Sequence, residues 1–162
     1  MKLADFEALS FDCYGTLIDW KAGLSAVLVP WAAERGLTLT AEQLLTEYAG
    51  LEAAVEAEGL GATFAGVITA QDVGSYKPSP RNFDALAAEA ARLRIGPGRL
   101  LHVAQSLFHD HLPAKQAGLP TVWINRRHDR PGWGATPAPP APVAPDWEFP
   151  SMAAFAAGAD SA

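Results

Sequence analysis

Three groups in the sequence have the types and placement to share one chemistry. Asp12 closes the apolar run Phe6-Glu7-Ala8-Leu9-Ser10-Phe11, and a Tyr14-Gly15-Thr16 turn follows almost at once. Lys77 lies in Gly74-Ser75-Tyr76-Lys77-Pro78, and Asp110 lies in Gln105-Ser106-Leu107-Phe108-His109-Asp110, each behind another apolar run. A lysine between two carboxylates favours the ionised form of both. An ionised, partly desolvated carboxylate is a competent nucleophile, and a glycine turn leaves backbone N–H groups free to hold an anion beside it. Read one at a time, the same residues are unremarkable in role: a strand-end acid serves equally as a helix cap, and a lone lysine is usually solvated.

The elements that must position these groups follow from periodicity. Residues 6–11 read as a short buried strand, 64–70 as a second, 100–104 as a third and 121–125 as a fourth. Between them the pattern predicts helices over 22–35, with Leu24, Leu28 and Trp31 on one side and Pro30 as a start or kink, and over 41–58. Thr40 and Gln43 have capping-box spacing, and Leu44, Tyr48, Leu51 and Val55 share a face. Ser79-Pro80 reads as an N-cap with proline at the first helical position, opening a helix that turns Phe83, Leu86, Ala90 and Leu93 inward. A short helix over 109–117 stops at Gly118. Strands alternating with helices predict an α/β fold with a mainly parallel sheet flanked by helices, and such sheets bind ligands at the carboxyl ends of their strands.

Composition narrows the function classes. The chain has 162 residues, 49% hydrophobic and 19% charged, as expected of an ordinary globular domain. A net charge of −6 argues against nucleic acid or an anionic membrane as partner. No apolar run approaches the ~20 residues that a membrane span needs, and Asp5 and Glu7 do not suit a signal peptide. The single cysteine, Cys13, excludes an internal disulfide and suits a reducing cytoplasm; it reads as a small buried residue beside the nucleophile candidate. His109 and His111 are two apart and share no helical face, so capping or exposure is expected rather than metal binding. Arg126, Arg127 and Arg130 read as a solvated basic loop in preference to a cluster that attracts an anionic substrate.

FDCYGTLIDW resembles the first motif of the haloacid dehalogenase superfamily, with Asp12 at its nucleophile. SYKPSPRNF resembles the motif that supplies the superfamily lysine, here Lys77, and LLHVAQSLFHDHLPAKQAGLPTVWINRR resembles the acidic fourth motif, with Asp110 at its second acidic position. The resemblance spans residues 5–134 and points to the type II L-2-haloacid dehalogenase branch. It implies a Rossmann-like core over 1–20 and 62–136 and a reduced helical cap over 21–61. A proline-rich connector over 137–147 and a C-terminal helix or tail over 148–162 complete the chain.

The same resemblance implies a mechanism. Superfamily phosphatases carry Asp-x-Asp at the first motif and Gly-Asp-Ser at the fourth; this chain has Tyr14 and Ala104-Gln105-Ser106 there. Fewer acids suit a site without Mg²⁺, because that ion prefers carboxylates plus substrate phosphate. The expected reaction is displacement of halide from a 2-haloalkanoate by Asp12, then hydrolysis of the resulting ester. Lys77 would orient Asp12, and Asp110 would position Lys77 or help activate water. Tyr14, Gly15, Thr16 and Ser106 are the expected substrate-side contacts, Thr16 and Ser106 donating to Asp12 or to the substrate carboxylate, with Tyr14 and Trp20 as pocket walls or packing aromatics. No cofactor is expected, Mg²⁺ entering only if the chain is instead a phosphatase.

One departure matters. Family members carry more cap, and a strand ending in Ser or Thr and Asn, where Glu58-Gly59-Leu60-Gly61 runs almost directly into Phe64 here. A strand–helix unit takes roughly 30 residues. The 64–70 strand is then expected to pair directly with the first strand, or else a gap remains beside it, and exposed apolar surface would favour a homodimer. The alternatives are a Mg²⁺-dependent phosphatase and a shortened, inactive relative that binds a small anion or a partner.

Overall fold

The computed structural model describes residues 2–17, 20–41, 43–44, 64–133 and 136–160, which fall into two compact units, 1–17 with 64–162, and 18–63. The larger unit is built on four parallel strands: β1 (Ala8–Phe11), β2 (Leu100–Ala104), β3 (Thr121–Ile124) and β4 (Trp147–Phe149), in the order β1-β2-β3-β4. β1 and β2 pair with Ala8 opposite Leu100 and Phe11 opposite Val103. β2 and β3 pair with Ala104 opposite Trp123. No described helix is long and apolar enough to cross a membrane.

Every residue of β2 is buried, as expected of a central parallel strand covered on both faces. Its side chains alternate. Leu100 joins Phe83, Ala90, Ala114 and Leu119 on one face, and Leu101 and Val103 join Val122, Ile124 and Phe155 on the other. The first face is covered by α3 (Arg81–Arg92) and α4 (Leu112–Gln116), the second by α5 (Met152–Asp160). α3 turns Phe83 and Ala90 inward as its periodicity requires, but begins one residue later than expected. Pro80 takes the N-cap position and no side chain caps it, so Ser79 contributes its carbonyl, to Asn82.

Two strand expectations need correction. Residues 64–69 form no strand; the chain runs irregularly until Thr69 caps α2 (Ala70–Val73) through a reciprocal pair of bonds with Asp72. An apolar run alone does not fix a strand, and this one has no buried face, Val67 being 62% exposed. β1 pairs instead with β2, its one sheet partner among the described residues. Conversely, β4 forms where the connector and tail were expected to meet. Asp146 secures it: its carboxylate accepts from the Thr121 N–H at 2.7 Å and pairs with Lys115, while its own N–H donates to the Thr121 carbonyl at 3.0 Å.

In the smaller unit, α1 (Trp20–Glu34) carries Pro30 inside it and ends at Gly36, which adopts φ +72°. Ala32 is buried, whereas Trp31 is exposed under the Arg35 guanidinium, 4.5 Å above its ring. The capping box forms, Thr40 N donating to Gln43 Oε1 at 2.9 Å and Gln43 N to Thr40 Oγ1 at 3.2 Å. Leu44 is buried; the rest of the expected 41–58 helix, with Tyr48, Leu51 and Val55, lies outside the described residues, as does the Trp20 side chain.

Candidate active site

Asp12 stands one residue beyond β1, and its N–H donates to the Val103 carbonyl at 3.0 Å, so the sheet register still holds it. The chain then doubles back, with Thr16 and Leu17 both donating to the Cys13 carbonyl. Gly15 makes this possible with φ +83°, a conformation that side chains resist. A Cβ there would also sit 3.4 Å from Gln105 Oε1. Cys13 itself is only half-buried, not enclosed in the sheet.

Lys77 arrives from the loop between α2 and α3. Its Nζ donates to Asp12 Oδ1 at 2.6 Å and to Asp110 Oδ1 at 2.5 Å. Asp110 comes from a π-helical turn, Leu107–His111, that leads into α4. Ser106 shapes that turn: its Oγ accepts from His109 N at 3.0 Å, and its carbonyl accepts from Asp110 N and His111 N. Asp12, Lys77 and Asp110 thus meet at the carboxyl ends of β1 and β2. Exposure is graded across them, 31% for the Lys77 side chain, 15% for Asp12 and 1% for Asp110. Solvent therefore reaches Lys77 and Asp12 but not Asp110.

The charges are interdependent. Burial raises the Asp12 carboxyl above its ordinary value and Asp110 adds to this, against the pull of Lys77 and Thr16. Burial works against the Lys77 charge, but the two carboxylates outweigh it and raise the ammonium above its ordinary value. Burial likewise works against Asp110 ionising, yet Lys77 and then His102 hold that carboxyl far below the usual range. Of the two carboxyls that share the Lys77 ammonium, Asp110 is the more firmly ionised.

Of the expected substrate-side residues, Thr16 takes the Asp12 alternative and Ser106 turns to its own segment. Thr16 is fully buried and commits its hydroxyl, donating to Asp12 Oδ2 at 2.9 Å and accepting from Gln105 N at 2.8 Å. Ser106 is buried and occupied by its turn. Tyr14 and Gly15 stand on the turn itself, Tyr14 exposed. Sequence reasoning overlooked two residues and misplaced a third. His102 is buried in β2 with Nε2 3.5 Å from Asp110 Oδ1. Trp123 Nε1 donates to the Gln105 carbonyl at 2.9 Å. Arg126 is no solvated loop residue: it donates to the Gly15 and Thr16 carbonyls, each at 2.7 Å. The histidine was detectable as the one polar residue in an apolar strand. The reach of Arg126 back to residues 15 and 16 leaves no local trace in the sequence.

Mg²⁺ does not suit this donor set. Both carboxylates already share the Lys77 ammonium, and positions 14 and 105 bring a phenol and an amide where carboxylates would serve the ion. Among the described residues, no three His, Cys, Asp or Glu side chains converge on a possible metal position.

Comparison with known proteins gives a consistent fold. No family model and no curated protein sequence matches the chain. Solved structures do. The HAD-hydrolase YfnB of Bacillus subtilis, a magnesium-bound form, aligns at TM-score 0.68 and 15% identity over 96% of this chain and 99% of that one. A 2-haloacid dehalogenase from Pseudomonas syringae pv. Tomato aligns at TM-score 0.60 and 19% identity over 96% and 99%. A HAD phosphatase from Thermococcus onnurineus aligns at TM-score 0.51 and 24% identity over 96% of both chains. At these identities the likeness is one of fold.

Proposed function

We propose that this chain, whose fold is that of the haloacid dehalogenase hydrolases, belongs to their type II L-2-haloacid branch and hydrolyses small 2-haloalkanoic acids through an ester on Asp12. The observation that carries the reading is Lys77 Nζ bridging Asp12 and Asp110 at 2.6 and 2.5 Å. The first step forms a bond from an Asp12 carboxylate oxygen to the α-carbon, and the halide departs with the electron pair of its bond to carbon. Water then attacks the ester carbonyl. The 2-hydroxy acid leaves, a proton passes to solvent and the carboxylate is regenerated.

The chain's own groups support these steps by position. Lys77 grips one oxygen of Asp12 and Thr16 the other, so the carboxylate cannot rotate away from an attack trajectory. Each oxygen keeps a lone pair for bond formation. Asp110 is too enclosed to meet bulk water, which favours it as the holder of Lys77 over a water-activating base. Tyr14 and Gln105, in place of acids, favour attack on carbon over metal-assisted phosphoryl transfer.

The deciding assay is halide release from the two enantiomers of 2-chloropropanoate without added metal, with Asp12→Asn as control. Release by the unmodified protein, lost in the control, and a mass increase on Asp12 under single turnover are the expected results. Phosphate release from p-nitrophenyl phosphate with Mg²⁺ would replace the reading with a phosphatase. A folded protein that does neither would leave a binding role.

A further inference from the structure

His102 is not used by the mechanism above, yet three elements hold it beside the reacting centre. It lies in the middle of β2, 4% exposed, between apolar neighbours. Its Nδ1 is 2.9 Å from Ser10 Oγ on β1. The Phe83 ring of α3 meets the imidazole edge-to-face, with centroids 5.4 Å apart and planes at 81°. Its Nε2 has no hydrogen-bond partner among the described residues and faces Asp110 Oδ1, the oxygen that also takes Lys77, at 3.5 Å.

A merely space-filling role does not account for this. A buried polar atom left without a partner is costly, and an apolar ring would fill the same volume without that cost. The tautomer follows from the neighbours. If Nδ1 carried the proton, the Nε2 lone pair would point at an anion. If Ser10 donates to Nδ1, the proton sits on Nε2 and points at Asp110.

We propose that His102 is a positioning residue, its Nε2–H held by Ser10 and Phe83 against Asp110 Oδ1 so that Asp110 stays ionised and turned toward Lys77. The inference rests on Asp12, Lys77 and Asp110 being the reacting centre. Lys77 completes the line Ser10–His102–Asp110–Lys77–Asp12. The titratable groups around this line are Cys13, beside Asp12 and Lys77, and His109 and His111, the two histidines coming from the Asp110 turn itself.

The test uses the intact chain and two variants. His102→Phe keeps the ring volume and removes the N–H; His102→Gln restores an N–H donor. Nitrogen NMR of the imidazoles in the unmodified protein should show His102 protonated at Nε2. Carbon NMR of the Asp110 carboxyl should show protonation beginning at higher pH in the Phe variant, by about one pH unit, and return toward the original in the Gln variant. Halide release should fall about tenfold in kcat with little change in KM for Phe, and recover for Gln. A proton on Nδ1, or an Asp110 signal that titrates no earlier in the Phe variant, overturns the proposal. If the unmodified protein releases no halide, dehalogenation fails on its own, while the two NMR readings still decide the role of His102. If the Phe variant does not fold, the tautomer in the unmodified protein decides.

Discussion

Arg126 Nε donates to the Gly15 carbonyl at 2.7 Å, tying the end of β3 to the turn that follows Asp12. A second bond from Nη2 reaches the Thr16 carbonyl, also at 2.7 Å. The guanidinium fork therefore fixes two successive peptide planes in the turn that follows Asp12, where the Thr16 and Leu17 N–H groups already donate to the Cys13 carbonyl. Arg126→Lys keeps the charge but offers a single point in place of the fork. Loss of one charge-assisted bond should cost about 1.5–3 kcal/mol in urea unfolding, and halide release should fall more in kcat/KM than in folded fraction. Equal stability and activity to the unmodified protein would show that the clamp is dispensable.

Lys77→Met should abolish halide release and also destabilise the fold. Two carboxylates, one of them wholly enclosed, would lose their shared cation, and breaking such a pair costs about 3–5 kcal/mol. The double variant Lys77→Met with Asp110→Asn should regain much of that stability while staying inactive, because the buried charge is removed along with its partner. Circular dichroism melts of the two variants, compared at one pH, check this.

Thr16→Val preserves shape and removes the hydroxyl that joins Asp12 Oδ2 to Gln105 N. The Gln105 N–H then lacks its acceptor, so a loss of about 1–3 kcal/mol is expected, together with slower ester formation as Asp12 gains rotational freedom. Thr16→Ser, which restores the hydroxyl, should recover most of both. Single-turnover mass measurement of the Asp12 ester separates the two variants.

The His111 imidazole is pushed down from 6.5 to about 4, first by burial, although its Nε2 donates to the Ala104 carbonyl at 3.0 Å. Below pH 6.5 the unfolded chain therefore binds a proton that the folded chain refuses. Stability from this group is complete above that pH and drains as the pH falls toward 4, at about 1.4 kcal/mol per pH unit, roughly 3 kcal/mol in all. His111→Gln should flatten the difference in unfolding free energy between pH 7 and pH 4.5. A slope unchanged from the unmodified protein would place the acid sensitivity elsewhere.

Much of this arrangement is legible along the chain, and the rest divides by physical cause. β2 and β3 show as apolar runs because a strand covered on both faces needs little else, whereas the first strand, expected to be buried, lies at the sheet edge with Leu9 44% exposed. α3 shows through the spacing of Phe83 and Ala90. Residues 64–69 misled because a run of apolar types suits a strand only if it has a face to bury, and here Val67 is 62% exposed. β4 is three residues long and follows prolines; Asp146 and the edge of β3 call it into the sheet.

Asp12, Lys77 and Asp110 were visible by type, because an acid behind a strand and a lysine before a proline are local signals. What the sequence by itself determined was which groups stand at the ends of which elements. Only the tertiary structure decided which of them meet. Ser10 and His102 are 92 residues apart in sequence, and Gly15 and Arg126 are 111 apart, yet each pair is within hydrogen-bond distance. Such partnerships depend on the register of parallel strands, where neighbours come from distant segments and a slip of one residue would send every side chain to the opposite face.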